Sequence, residues 1–246
     1  MTHKYLMKIL FSLICYAFLG GLTAINAQIQ PGVYISDAEN VRHEVKINDD
    51  YFIYSAYRTN PPEFIRTLGG FAQVEKTTAG EQLTVLLEFN SDYERDSIRQ
   101  LSIPTHMDGK TLHLNWFKKL KLTASKKTEQ DLNGAWLFAT RGPDEGQERR
   151  GEANTRKTLK HLQDGRFQWI AYDTDGLQFK GAGGGKYTSI DGIYTENIEY
   201  FSKDNTQVGA SLEFNYEIKR DDWHHTGKNS KGAPMYEIWS RRPTDN

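Results

Sequence analysis

Cysteine is almost missing: Cys15 is the only one in 246 residues. That excludes a disulfide framework and any Cys-based metal centre. No charge excess of either sign exists, with 31 basic residues against 32 acidic. A surface built mainly to hold a polyanion is excluded, and no nucleic-acid partner is expected. After the first 27 residues there is neither a long helical period nor an apolar run able to cross a membrane. Coiled coils, collagens and multi-span membrane proteins are thereby excluded. No H-E-x-x-H motif occurs, and no cofactor is expected.

What the chain does hold is aromatic residues (12%), 13 of its residues being Tyr, and 21 Gly. This mixture points to many short strands joined by tight turns. The first 27 residues are of another kind. Lys4 and Lys8 precede an apolar run over Ile9 to Ala24, and Ile25-Asn26-Ala27 ends in a small residue. Residues 1–27 therefore read as a signal peptide. Export to the periplasm or the exterior is expected, with no transmembrane segment after cleavage. Loss of Lys4 and Lys8 leaves 29 basic and 32 acidic residues and no cysteine. Such a chain is stabilised by burial alone.

A repeat organises the remainder. Gly32-Val33-Tyr34 resembles Gly134-Ala135-Trp136, and Tyr51 to Tyr57 resembles Arg166 to Tyr172. Gly69-Gly70 resembles Gly184-Gly185, Leu87 to Ser91 resembles Ile198 to Ser202, and Trp116 to Lys119 resembles Trp239 to Arg242. The order is the same in both halves, and the spacing drifts with loop-like sequence at 141–156 and 226–234, where loops absorb insertions. Two copies of one module are expected, over 28–122 and 131–246.

Within each copy the residues alternate. Tyr194, Glu196, Ile198 and Tyr200 share one face, and Leu212, Phe214, Tyr216 and Ile218 another. Asp164-Gly165, Asp191-Gly192 and Asp108-Gly109 mark tight turns between strands. The fold class expected is all-β: two tandem antiparallel up-and-down barrels, each closing so that no strand edge is left bare.

Gly134-Ala135-Trp136 opens its module as the Gly-x-Trp of lipocalin-like (calycin) barrels does. With Asp164-Gly165-Arg166-Phe167-x-Trp169, Gly185-x-Tyr187, Trp223-His224-His225-x-Gly227 and Glu237-Ile238-Trp239-x-Arg241, the second copy resembles a lipocalin-like family of exported Bacteroidota proteins. The family carries no established activity, so the resemblance implies fold rather than function. It further implies that Gly134, Trp136, Trp239 and Arg241 close the barrel, with an arginine packed over the Trp136 indole. The first copy departs from this pattern, with Tyr34 for the Trp and Lys118 in the place of Arg241.

Three functions follow from the residues. The first is non-catalytic binding of a small, largely apolar ligand, with Trp169, Tyr187, Glu196, Tyr200, Phe214, Tyr216 and His224 lining a barrel cavity. The second is an interaction or glycan-associated module of the envelope with solid barrels, its protein partner unspecified. The third is a hydrolase using Glu196, His224 and Glu237. A metal site on His224-His225 is not expected, because neighbouring strand residues point to opposite faces. The run Gly181 to Gly185 lacks the following helix of a phosphate loop and reads as a hairpin or bulge.

Overall fold

The computed structural model describes residues 29–78, 80–229 and 232–243. The signal peptide expected over 1–27 lies outside them. Two closed antiparallel barrels follow each other along the chain, each strand hydrogen-bonded to the next and the last to the first. The first barrel takes β1 (Gly32–Ala38), β2 (Val41–Ile47), β3 (Tyr51–Thr59), β4 (Pro62–Thr77), β5 (Gly80–Asn90), β6 (Gln100–Asp108), β7 (Thr111–Asn115) and β8 (Lys119–Ala124). The second takes β9 (Gly134–Arg141), β10 (Arg156–Gln163), β11 (Arg166–Asp173), β12 (Gln178–Ile190), β13 (Ile193–Phe201), β14 (Ser211–Lys219), β15 (Asp222–Lys228) and β16 (Pro234–Arg241). The first barrel thus reaches two residues past the expected boundary at 122, because β8 needs Thr123 and Ala124 to pair with β1.

Period-two patterning builds these strands. In β6, Leu101, Ile103 and Thr105 are buried while Gln100, Ser102, Pro104 and His106 are exposed. Turn chemistry sets the register. Asp164-Gly165 and Asp191-Gly192 have φ of 49° and 72°, and of 52° and 82°. Paired left-handed residues are what a two-residue hairpin turn demands. The first interior is mainly aliphatic, with Val45, Leu83, Val85, Ile103, Leu112 and Leu122 fully buried. The second is aromatic, built on Trp136, Phe167, Tyr194, Trp223 and Trp239.

The repeat is visible as register. Gly70 pairs with both Phe52 and Leu87, and Gly185 with both Phe167 and Ile198. Each copy carries a β-bulge at that point, leaving Glu88 and Glu199 as the extra residues. The match of Trp116–Lys119 with Trp239–Arg242 does not hold in space. Trp116 stands after β7, and Ala124 faces Tyr34 as Arg241 faces Trp136. Lys118 is therefore not the counterpart of Arg241. Trp116 and Phe117 lie in the connection between β7 and β8.

The barrels pack side by side. Tyr51, Ile53 and Phe89 of the first meet Leu137, Leu159, Ile170 and Tyr172 of the second in one apolar cluster. Around it runs a buried polar rim. Arg166 donates to both oxygens of Glu199 at 2.9 and 2.8 Å and to Glu44 across the joint at 2.9 Å. Ser55 donates to Gln168 at 2.8 Å, and Gln168 to Thr67 at 2.8 Å.

Candidate functional site

The two copies differ where β1 and β9 meet their neighbours. β1 pairs with β2 along its whole length, from Gly32 with Ile47 to Ala38 with Val41. β9 pairs with β10 only from Gly134 with Leu162 to Leu137 with Leu159. Beyond that pair the strands part, and residues 142–155 bridge the gap where the first barrel has a turn at Glu39-Asn40. The backbone N–H of Arg150 donates to Ala139 O at 2.8 Å, so the bridge folds back along β9. A cavity of about 730 Å³ opens here. Phe138, Thr158, Glu237 and Trp239 face it from the barrel, and Gln147, Glu148, Arg150 and Asn154 from the bridge. In the first barrel the same end is covered. Trp116 and Phe117 lie edge-on to the Tyr54 ring at 5.3 and 6.1 Å, and Lys118 Nζ reaches His43 Nε2 at 2.7 Å.

Behind the opening sits a buried polar cluster in an aromatic wall. Lys160 Nζ lies 2.8 Å from Glu196 Oε1. It also stands 5.0, 5.0 and 5.2 Å from the ring centres of Tyr194, Trp223 and Trp239, within cation–π range. Tyr194 donates to the same Glu196 oxygen at 2.7 Å. His225 Nδ1 is 3.6 Å from Glu237 Oε2, an electrostatic contact longer than a hydrogen bond. Neither His225 nitrogen has a hydrogen-bond partner, and the ring is only 2% exposed. Burial, helped by the Lys160 charge, pushes the His225 pKa down to about 4, so the imidazole is neutral. For Glu237, burial works upward, but His225 and Lys160 outweigh it and hold the carboxyl below its ordinary value. Arg141, Arg150 and Arg156 rim the cavity, and among the described residues none has an ion-pair partner. Arg150 stacks over the Phe138 ring at 5.3 Å. The opening therefore offers guanidinium groups without ion-pair partners at its rim, the aromatic surface of Phe138 and Trp239 within, and the Glu237 carboxylate on its lining, with the neutral His225 imidazole buried behind it.

The expected ligand residues are not gathered. Glu196 and Phe214 belong to the buried cluster, the Phe214 ring lying 4.5 Å from His225. Trp169 packs against Phe201 at 5.4 Å. Tyr187 and Tyr216 donate to Asn133 and Asp131 at the closed end of the barrel. Tyr200 lies outside, its ring tilted against Tyr57 of the first barrel at 4.5 Å, because the bulge at Glu199 turns it out of the alternation. His224 is also outside, 2.9 Å from the Tyr236 hydroxyl. With His224 outward and Glu196 and Glu237 inward, the hydrolase trio does not assemble. No group of three potential metal ligands occurs among the described residues.

At the closed end, Arg241 lies over the Trp136 ring at 4.1 Å and donates to Asn133 O at 2.9 Å. The indole N–H of Trp136 donates to Leu132 O at 2.9 Å. Trp239 is deeper, stacked on Trp223 at 5.8 Å and edge-on to Phe138 at 5.6 Å. Sequence reasoning missed Lys160 and the arginine rim, and named His225 only as half of a metal pair it did not expect. The one available signal was the lengthened 141–156 segment, which carries Arg141, Arg149, Arg150 and Arg156.

No family model and no curated protein matches this chain. Among solved structures it aligns with a DNA polymerase sliding clamp from Bacillus subtilis at 9% identity, over 87% of this chain and 57% of that one. The TM-score of that alignment is 0.14.

Proposed function

We propose that the protein is a binding module whose second barrel takes a small ligand at the gap between β9 and β10. The observation that carries this reading is the difference between the copies: one sheet is sealed and capped, the other is parted over an aromatic floor. The largely apolar ligand suggested by the sequence gains an anionic end, because Arg141, Arg150 and Arg156 stand unpaired around the opening. Its flat or aliphatic body would lie on Phe138 and Trp239, where leaving water contributes ~25 cal/mol per Å² before ordering costs. Among the described residues, the exposed large apolar side chains Ile65, Leu86, Ile190, Ile193 and Ile218 are aliphatic and only Phe117 is aromatic. That pattern does not favour sugar stacking on an outer face.

Fluorescence titration with an anilinonaphthalene sulfonate and with neutral phenylnaphthylamine tests the reading. Saturable binding of the sulfonate is expected, weakened about tenfold by Arg150→Ala with Arg156→Ala through loss of charge-assisted bonds, with the neutral dye nearly unaffected. Absence of saturable binding by either dye would refute it. We propose further that the chain is exported and lipocalin-like in descent. The first point rests on Lys4, Lys8 and the apolar run after them, and the mass of the mature protein checks cleavage after Ala27.

A further inference from the structure

The joint between the barrels repeats itself. Arg42 pairs with Tyr57 as Lys157 pairs with Tyr172, and Glu88 and Glu199 are equivalent bulge residues. Across the joint these equivalents are exchanged. Glu199 accepts from Tyr57 at 2.9 Å and from Arg42 at 3.1 Å, both of the first barrel. Glu88 accepts from Tyr172 at 3.1 Å and lies 3.5 Å from Lys157, both of the second. A contact of one residue with another, matched by the reverse contact, is the mark of a two-fold interface. The single chain holds internally what two copies of one barrel would form as a dimer.

The two clusters differ in reach. Glu199 is held by Arg166, Tyr57 and Arg42, all three on strands. Glu88 continues outward. Arg242 Nη1 is 2.8 Å from Glu88, and Arg242 Nη2 donates to Glu152 at 2.7 Å. Lys157 Nζ stands 3.2 Å from the same Glu152. Glu152 belongs to the 142–155 bridge that walls the cavity. Its other flank is held separately, Arg149 reaching Asp222 at 2.7 Å and Ser240 at 2.8 Å.

We propose that Glu88 of the first barrel, acting through Arg242 and Lys157, fixes the bridge that walls the opening of the second. The first barrel is then a positioning partner, and Glu88 a positioning residue, where the equivalent Glu199 only holds the joint. The link to ligand binding rests on the reading of the opening as a ligand site; the mechanical claim does not. Hydrogen exchange over residues 147–155 reads it directly in the full chain. Glu88→Gln is expected to speed exchange there about fivefold or more, and Glu199→Gln to leave that segment unchanged. Glu152→Gln should reproduce the effect from the loop side, and it decides the matter should Glu88→Gln fail to fold. Unchanged exchange in Glu152→Gln, or an equal rise in Glu199→Gln, would overturn the proposal. Sulfonate dye binding is the second readout. Weaker binding in the variants whose bridge loosens supports the coupling. A dye that never binds the unaltered protein sinks the ligand site, while the exchange data still decide the positioning role.

Discussion

Arg241 and Trp136 show how much one pair can carry at the end of a barrel. The guanidinium plane covers the indole and also donates to Asn133 O, so it seals apolar surface and satisfies a backbone acceptor together. Arg241→Ala is expected to cost about 1–3 kcal/mol in urea unfolding, from the cation–π contact and the hydrogen bond combined. Arg241→Lys should recover only part, since an ammonium lacks the flat fork. Gly134 belongs to the same unit. A Cβ there would lie 2.4 Å from Arg241 Nη1, and its φ is 128°. Gly134→Ala should therefore destabilise more than Gly146→Ala, where φ is 82° but the space is open. Equal losses in the two variants would show that backbone strain alone, and not the arginine, makes the glycine necessary.

Strands and bulges set what the sequence could disclose. Alternation in β14 was legible because Leu212, Phe214, Tyr216 and Ile218 separate cleanly from Ser211, Glu213, Asn215 and Glu217, and the His224-His225 pair does split outward and inward as period two requires. β10 was not legible. Thr158, Lys160 and Leu162 face the interior while Lys157, Leu159 and His161 face the other barrel, so both faces are buried and both mix apolar with charged residues. A strand between two cores loses the pattern that reveals either. Tyr200 was misplaced for a related reason: a bulge changes the phase, and Glu199 marks it only once the pairing is known. The glycine run of β12 is the other side of that bulge. A Cβ on Gly185 would stand 2.0 Å from Asn197 O, a backbone atom that cannot swing away. Gly185→Ala should abolish the cooperative transition of the second barrel, seen as lost near-ultraviolet circular dichroism; a native-like spectrum would mean the bulge can relax.

For the whole molecule, three buried histidines tie both barrels and their joint to pH. His43 lies in the first interior, His225 in the second, and His161 between the barrels. Burial is the leading cause in each, seconded by Lys118, Lys160 and Lys46 respectively, and it brings them down to about 4, 4 and 3 from 6.5. The folded state keeps each ring neutral, while the unfolded chain takes up a proton near 6.5. Their contribution is thus complete above pH 6.5 and is lost as the pH falls towards 4. Glu199 adds a second window. Burial raises its pKa, but Arg166 and Tyr57 prevail and bring it down to about 2, so its share is intact above 4.5 and disappears between 4.5 and 2. Thermal unfolding should shift to lower temperature from pH 7 to pH 4.5, and His161→Gln should flatten that slope by removing the joint's share. A midpoint constant over this range would mean the rings already carry a proton partner when folded. A slope unchanged in His161→Gln would place the acid sensitivity of this range in the barrel interiors, at His43 and His225.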